Sequence, residues 1–492
     1  MMEYLLIAGF FTVVALAALM GVLKINFLPA LIAGVIVIGG INPLVYFVGS
    51  EAAKNQASSF KEYWNGYETA ANRSDRACTR DGVCANTYQC DPYTERVRKT
   101  RTTTDSKGKT KTEPYYETET HWHSCPYSTQ ESTFTIESTV QSFTIASNVM
   151  TGQEYRFGNG IPSGLRNAPQ QWLDAKARID AGKPGPVTAV KDYQNFILAS
   201  QKSLFSQYAS NIEDMKSKNL LPSLSTGVQN QYQANKAYKV GDANVPLFSD
   251  YITDVAYLNG AFGKDLHGDL HVVFAPENIE NGKDDYLNTL MAYWQSAAMG
   301  KNALSKNTMV VLIGVKQDGS EVAWAKAATG MPLGNEALLT QVASDLKGKK
   351  MDSNLIGRPA FDISNKSIVS SNGELEKILW GANKFSRVSM SGDGADAAGF
   401  SYLKDEMQPT GWEVFWIAFA NFILGGLLIA AMVMLIINEV LPTGFAHWRG
   451  TGNRQPSRFA SSYFSGYSSS KSRFMSNSYG KKKKKRSSNL WD

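Results

Sequence analysis

The sequence predicts an α+β membrane protein with three transmembrane helices. Three apolar runs, at residues 4–23, 27–49 and 414–437, are each long enough to cross a hydrocarbon core about 30 Å thick. Strand-like alternation around four cysteines, followed by an α/β order of elements, fills the polar sequence between the second and third runs. The predicted fold therefore combines three membrane helices with an extracytoplasmic, disulfide-braced β unit, a helical region and an α/β module.

The first two apolar runs are predicted to form a transmembrane helical hairpin over residues 1–49. Residues 4–23 carry no charge, and a secretory signal is disfavoured because Glu3 precedes them without any Lys or Arg. Residues 27–49 contain two prolines, which membrane helices tolerate when neighbouring helices satisfy the freed backbone groups. Only three residues separate the two runs, so we expect both ends of the hairpin to lie outside.

The third predicted span, residues 412–441, contains an uncharged stretch in which only Asn421 is strongly polar. As a helix, the 24 residues of this stretch reach about 36 Å, which covers the hydrocarbon core with some tilt. Trp412 and Trp416 lie at its leading edge, where indole rings favour the headgroup layer. The composition therefore indicates a membrane anchor.

The tail behind this span, residues 442–492, is strongly basic and of low complexity. It holds eleven Lys and Arg residues and one acid, whereas the whole chain has a net charge of only +6. Because Lys and Arg beside a span stay in the cytoplasm, we expect the tail inside and residues 50–411 outside, as in a periplasmic domain of a bacterial inner-membrane protein. The expected contacts with anionic lipid or nucleic acid are made by Lys481, Lys482, Lys483, Lys484, Lys485 and Arg486.

Four cysteines follow in the predicted β unit, residues 50–165. An even number of cysteines in an oxidising compartment indicates two disulfides, with three connectivities open. The turn signal Ser106–Lys109 lies midway in an alternating stretch, and a two-residue loop there places Cys90 opposite Cys125. The same register pairs two arginines, Arg96 and Arg98, with Glu119 and Glu117. We therefore predict Cys90–Cys125, which leaves Cys78–Cys84.

Metal binding is the competing interpretation of the same region. His121 and His123 would lie on one face of a strand, although the cysteine spacing is wider than usual for zinc. A second candidate set is the alternating series Asp265, His267, Asp269 and His271, which would share a face if extended. Together with Asp250 below, these are the residues expected to hold a divalent metal if one binds; otherwise no cofactor is expected.

Three further helices and one or two strands are predicted between residues 50 and 215. The aromatic residues of 50–76 indicate a helix leading into the outer domain, and residues 133–146 alternate as one or two strands. In the helical region and linker, 166–244, we predict helices over 170–181 and 187–215. The Gln-, Asn- and Ser-rich residues 221–243 are predicted to be a linker.

The predicted α/β module spans residues 245–400. Its order is a helix from Phe248, a strand at 270–274, a helix at 284–298, a strand at 308–315, a strand at 322–329 and a helix to 346. The near-continuous apolar strand at 308–315 is typical of strands covered on both faces. A further strand and a helix over 374–382 are expected beyond it.

This module resembles the TPM domain family of membrane-anchored extracytoplasmic α/β modules. The matching features lie between about 245 and 346: Ser249-Asp250-Tyr251 before a helix, the strand His271–Phe274, Tyr293-Trp294, Met299-Gly300-Lys301, the strand Met309–Gly314 and the turn Ala328–Gly330. The resemblance implies either a structural factor or a phosphatase-like hydrolase. The family's acidic metal cluster has a counterpart here only in Asp250 and Asp318, so the resemblance does not supply a catalytic site.

These observations predict an integral envelope protein that presents an extracytoplasmic interaction or scaffold domain, with no enzymatic activity. We expect it to bind the lipid bilayer, another envelope protein at the outer domain, and a further copy of itself. Two alternatives stay open at this point: a membrane-tethered hydrolase of TPM type, and a structural membrane protein of a phage or virus. No Walker A, G-x-S-x-G or H-E-x-x-H motif is present.

Overall fold

The computed structural model of the chain describes residues 35–437 with several gaps, and some residues between 4 and 17. The gaps are residues 105, 107–108, 154–166, 200–205, 226–231, 233, 332–333, 389–399, 401–402, 405–406 and 408–410. The described part is an α+β fold with twelve strands. Residues 438–492, which include the predicted contact residues Lys481–Arg486, lie outside the described residues.

The N-terminal half is mainly β. Its elements are α1 (Asn42–Ser58), β1 (Ser59–Ala77), β2 (Thr87–Thr104), β3 (Thr110–Pro126), β4 (Gln130–Ser138), β5 (Ser142–Met150), α2 (Gln170–Asp180), β6 (Pro186–Gln194), α3 (Phe196–Ala199) and α4 (Ile212–Ser217). Strands β5, β4, β1 and β6 form an antiparallel sheet in that order, while β2 and β3 pair only with each other. The core of this half packs Phe134 and Ile136 of β4 against Trp172 of α2.

The C-terminal half is α/β. Its elements are β7 (Ala237–Lys239), α5 (Phe248–Leu266), β8 (Asp269–Pro276), α6 (Lys283–Trp294), β9 (Thr308–Val315), β10 (Val322–Thr329), α7 (Glu336–Asp345), β11 (Ala360–Asp362), β12 (Ser367–Val369), α8 (Glu374–Leu379) and α9 (Gly411–Ile437). Strands β7, β8 and β9 run parallel and β10 is antiparallel to β9, in the order β10-β9-β8-β7.

Helices cover both faces of this second sheet. Every residue of β8 and β9 is buried, which explains the continuous apolar sequence of β9. Alternate side chains of the strands pack against α5 and α7 on one face, and the others pack against α6 on the opposite face. The predicted α/β order of residues 248–346 is therefore confirmed, together with the strand and helix beyond it.

Helix α5 brings the two sheets together, because it packs directly on the backbone of β1. Added Cβ atoms at Gly263 and Gly260 would lie 2.4 Å from the carbonyl oxygen of Asn65 and 2.9 Å from that of Gly66. Glycine is therefore required at both positions for this close approach. The contact places the middle of β1 beside the first residues of β8 and β9, where a buried polar cluster forms.

The prediction of three transmembrane helices is wrong. Among the described residues, one helix is long and apolar enough to cross a membrane, the stretch Gly411–Leu428 of α9. The second predicted span, residues 27–49, is described only from residue 35, where a π-helical segment, Val37–Ile41, leads directly into α1; α1 then continues into polar sequence that includes Glu51 and Lys54. The first predicted span, residues 4–23, is only partly described. The chain therefore has one described helix that fits a membrane by length and composition.

Three predictions for the polar half of the chain are also wrong. The residues from Ser59 onward were predicted to be helical but form strand β1. Residues Pro186–Gln194 were also predicted to be helical but form strand β6. The predicted linker 221–243 contains strand β7. Tyr63 and Tyr67 of β1 are both buried, as are their neighbours Glu62, Gly66 and Glu68, because β1 lies in the middle of its sheet and is covered on both faces. Burial on both faces removes the period-two pattern that identifies a strand.

Candidate functional site

The most exposed feature of the described chain is the ribbon formed by β2 and β3. Its seventeen-residue strand β3 reaches about 58 Å, and the two strands pair with each other only. Most of its residues are exposed along both strands. Two-stranded ribbons of this kind are marginally stable in water unless something else holds them. The stability of the ribbon therefore depends on the contacts at its base.

Two disulfides hold that base, and both pairings were predicted. Cys90 is bonded to Cys125 with a Cα–Cα distance of 5.8 Å, and Cys78 is bonded to Cys84 at 5.6 Å. A backbone hydrogen bond from the Tyr127 amide to the Asn86 carbonyl, 3.1 Å long, also holds the base. The ribbon is thus fixed at its root although its length is unsupported.

The predicted register is wrong, even though the disulfide is right. Cys90 lies opposite His123, and Arg96 and Arg98 lie opposite Thr118 and Tyr116. An irregularity between Cys90 and Pro92 shifts the pairing at the base, and Cys125 becomes the diagonal neighbour of Cys90. The predicted arginine–glutamate pairs do not form in this register.

The two faces of the ribbon differ in charge. On one face Lys99 binds Glu117 at 2.9 Å and Glu119 at 2.6 Å, so its charges are largely paired within the ribbon. On the other face the register groups two arginines, two large aromatic residues and several threonines, without an acidic residue among the described ones: Arg96, Arg98, Tyr116, Trp122, Thr94, Thr100, Thr102, Thr112, Thr118 and Thr120. This second face, which we call the arginine face, therefore carries positive charge that no carboxylate on the same face balances.

Aromatic rings are presented openly on the arginine face. The side chains of Tyr116 and Trp122 are 59% and 52% exposed, which is a large apolar area for residues that ordinarily pack. The guanidinium of Arg96 lies 5.2 Å from the ring centre of Tyr116, a cation–π contact across the two strands. Arginine and aromatic residues are enriched where proteins bind one another, so this composition indicates an interaction surface.

The histidines predicted as metal ligands belong to the ribbon base and are engaged otherwise. His123 Nδ1 lies 2.6 Å from a carboxylate oxygen of Asp81, and the Ser124 amide donates to the other oxygen at 2.7 Å. The Ser124 amide and the His123 ring together hold the pKa of Asp81 below its usual value. His121 packs on Tyr93 within the ribbon, with ring centres 5.5 Å apart. The contacts of Asp81 fasten the loop after Cys78 to the ribbon.

The other predicted metal ligands are not brought together. Asp250 lies in the first turn of α5 and Asp265 in the last, about 22 Å apart along the helix axis. His267 ends the same helix in a left-handed conformation, so the series from Asp265 to His271 is not extended. In the described residues, the two groups with metal-site geometry consist of disulfide-bonded cysteines and one acid each. Such sulfur atoms are already bonded to each other and cannot act as thiolate ligands.

A buried polar cluster is centred on Asp269; the sequence analysis named Asp269 and His271 as possible metal ligands but missed their partners Lys236, Asn65 and Thr308. Asp269 opens β8, and its side chain contacts the ammonium group of Lys236, which precedes β7. Asn65 of β1 donates to Oδ1 at 2.8 Å, while Nε2 of His271 lies 3.2 Å from Oδ2. Thr308 of β9 donates to the same Oδ2 at 3.4 Å. Four segments distant in sequence thus meet at one carboxylate.

Burial sets the protonation of this cluster. Lys236, Asp269 and His271 are all 2% exposed or less. Burial lowers the pKa of Lys236 and of His271 because it disfavours their charged forms. Burial alone would raise the pKa of Asp269, but the neighbouring Lys236 and His271 outweigh it and lower that pKa well below its usual range. No sequence pattern signals this contact, because Lys236 lies in the stretch predicted as a linker.

The candidate membrane helix packs against α1. Asn421 Nδ2 of α9 donates to Asn42 Oδ1 at 2.6 Å, and both residues are buried. A groove of 790 Å³ between the two helices is lined mainly by apolar side chains, among them Leu44, Val48 and Trp416. Asn421, the single strongly polar residue of the predicted span, is therefore matched by a polar partner.

No family model, no curated protein and no solved structure matches the chain. The resemblance to the TPM domain family and the hydrolase alternative stay predictions, which the residues of the chain alone support.

Proposed function

We propose that the protein is a membrane-anchored envelope protein whose outer domain offers the ribbon as an arm for binding another protein. The observation that carries this proposal is the arginine face, exposed along two strands that pair with no other strand. A ribbon of this length contributes almost no buried apolar surface to its own domain, so folding stability does not account for it. Two disulfides at its root keep it positioned, which lowers the entropy lost when a partner binds.

The expected partner presents a carboxylate-rich surface. Arg96 and Arg98 have no acidic neighbour on their own face, and bidentate carboxylates match the guanidinium geometry. Tyr116 and Trp122 supply the apolar area that desolvates such contacts. The opposite face offers a partner little, because Lys99, Glu117 and Glu119 already pair with one another. Binding is therefore expected through one face only.

Anchoring rests on α9 and on the basic tail behind it. A single span with its Lys and Arg excess in the cytoplasm leaves the ribbon outside, in the periplasm of a bacterial cell. Each cation of Lys481–Arg486 near an anionic leaflet contributes about 1 kcal/mol of attraction, so the tail is suited to anionic lipid or another polyanion.

Protease protection tests this topology. Trypsin added to spheroplasts should cleave at Arg101 and Lys111 near the ribbon tip while the tail stays intact, and should cut the tail only after the membrane is permeabilised. Cleavage of both segments, or of neither, in intact spheroplasts would contradict the proposal. Detection uses separate epitope tags at the two ends of the chain.

Site-specific photocross-linking tests the arm. A cross-linking amino acid at Trp122 of the full-length chain should capture a different protein in the membrane, whereas the same group at Tyr115, on the opposite face, should capture it poorly. The cross-linked peptide of the partner should be acidic, and the variant Arg96→Glu/Arg98→Glu should abolish capture. The matched control Lys111→Glu changes a charge on the opposite face and should leave capture unchanged. Capture of a second copy of the chain, or equal capture from both faces, would refute the acidic partner.

A further inference from the structure

Lys236 and Asp269 meet under conditions that suit a reaction between them. Their side chains are in contact in the interior, at the point where β1 lies against the start of β8. Two tyrosine rings close the site: the ammonium nitrogen of Lys236 lies 4.6 Å from the ring centre of Tyr63, and Tyr238 stacks on His271. A charged pair gains little stability from such a site, because burial removes the hydration of both ions.

We propose that Lys236 and Asp269 are joined by an intramolecular amide bond between Nζ and Cγ. This bond goes beyond the proposed binding function and does not depend on it. Amide formation removes both buried charges and fixes permanently a contact that folding has already brought about. Two groups held in contact react as if at very high concentration, with effective molarities of roughly 10⁵ M or more.

The reacting groups are supplied by one proton transfer. Ammonium and carboxylate become amine and carboxylic acid when a proton moves from Nζ to Oδ1 along their contact, and the burial of Lys236, which lowers its pKa, reduces the cost of this transfer. The free amine of a desolvated lysine is a nucleophile. The carbon that the amine attacks, Cγ of Asp269, is already polarised through Oδ2, which lies 3.2 Å from His271 Nε2.

The balance of the reaction can be followed atom by atom. The lone pair of Nζ attacks Cγ, and the negative charge that develops on Oδ2 is stabilised by His271 Nε2, 3.2 Å away, and by the Thr308 hydroxyl. Oδ1 carries the proton that it received from Lys236, and the positively charged nitrogen of the adduct transfers one of its two protons to the same oxygen. The bond from Cγ to Oδ1 then breaks to release water, and Oδ2 becomes the amide oxygen. One amine and one carboxylic acid thus give one amide and one water, with no oxidant or cofactor.

His271 is arranged for this role by its other nitrogen. Nδ1 lies 3.0 Å from the hydroxyl of Tyr238, so the hydroxyl can donate to Nδ1 and leave the proton of the neutral ring on Nε2. The lowered pKa of His271 keeps the ring neutral. The tyrosine hydroxyl in turn accepts from the Ser225 amide at 3.1 Å. Such an orientation is unnecessary if the ring merely fills space.

The bond would fix the weakest strand of the second sheet. Strand β7 has only three residues and lies at the sheet edge, paired with β8 alone. Lys236 directly precedes it, so the amide would close a loop back to the first residue of β8. A covalent link at this position would prevent β7 from separating, as the disulfides do for the ribbon.

Intact mass spectrometry of the purified full-length protein tests the proposal. After reduction of both disulfides, the chain should weigh about 18 Da less than its sequence, the mass of one water. Tryptic digestion should yield a branched peptide linking Lys236 to Asp269. The exposed pair Lys61–Asp192, 2.7 Å apart, is the internal control and should stay unlinked.

Two variants give the expected contrast. Lys236→Arg keeps the charge but cannot form the bond under these conditions, and should show the full sequence mass. His271→Gln should leave most of the protein unlinked after purification. A full sequence mass in folded wild-type protein would overturn the proposal, and so would a loss of water that maps to an Asp-Gly sequence such as Asp318-Gly319 instead.

Discussion

Removing the Cys90–Cys125 disulfide should loosen the ribbon and leave the second sheet intact. The bond closes a loop with a sequence separation of 35, for which chain entropy gives about 4 kcal/mol. The Cys78–Cys84 bond, with a separation of 6, gives roughly 2 kcal/mol by the same relation. Both double serine variants are therefore needed, since the larger loop should show the larger effect if loop closure is the cause.

Hydrogen exchange followed by mass spectrometry measures this locally. In the Cys90→Ser/Cys125→Ser variant, amides of β2 and β3 should exchange faster by up to about a thousandfold, which is the rate equivalent of 4 kcal/mol. The effect should be smaller in Cys78→Ser/Cys84→Ser, and β8 and β9 should be unchanged in both, because the ribbon pairs with no strand of the second sheet. Unchanged exchange in β2 and β3, or faster exchange in β8, would refute the view that the disulfide stabilises the ribbon alone.

Three further predictions concern other parts of the chain. Arg178→Met should destabilise the first sheet by about 3–5 kcal/mol in chemical unfolding, because it leaves the fully buried carboxylate of Glu68 without its partner, while Lys176→Met on the same helix should cost less than about 0.5 kcal/mol. Exchange protection at the ribbon base, corrected for intrinsic rates, should be constant above about pH 5 and fall below about pH 4. The reason is that the lowered pKa of Asp81 stabilises the fold only while its carboxylate is ionised, and Asp81→Asn should remove this pH dependence. Truncation before residue 411 should release the chain from membranes washed with carbonate, whereas truncation after the tail's Ser470 should not.

The second half of the fold could be predicted because its pattern and its environment agree. Strand β9 is apolar throughout, and α5, α6 and α7 have apolar faces that cover the sheet, so local sequence and tertiary burial specify the same elements. In β1 they conflict. Phe60, Tyr63, Trp64 and Tyr67 recur at helical spacing, yet they lie on a central strand where side chains on both faces are largely buried. Sequence periodicity alone cannot distinguish these two situations.

The candidate sites were predictable to different extents. The disulfide pairing was predicted from the alternating sequence and one turn signal. The prediction was correct although the register was wrong by two residues at the base, because Cys125, the diagonal neighbour of Cys90, is also within bonding distance. The contrast between the two ribbon faces depends on the true register and was therefore missed. The contact of Lys236 with Asp269 joins residues 33 apart through the packing of four segments, and nothing local in either segment indicates it.

The disulfides and the proposed amide lie along the path by which a force on the ribbon would reach the candidate membrane helix. Strand β1 follows α1 without a break, α1 packs against the candidate membrane helix α9, and β1 ends one residue before Cys78. A force that a partner applies to the ribbon is therefore transmitted through the ribbon base and β1 towards α1 and the candidate membrane helix α9. Along β1 the load is shared by hydrogen bonds to β4 and β6, but at the ribbon root few backbone hydrogen bonds connect the arm to the sheet. The disulfides lie at this root, and the proposed amide lies where β1 meets the second sheet. A ribbon that binds no partner carries no load and needs neither the disulfides nor the amide. A ribbon that holds a partner while the chain is anchored in a membrane needs covalent links at these junctions.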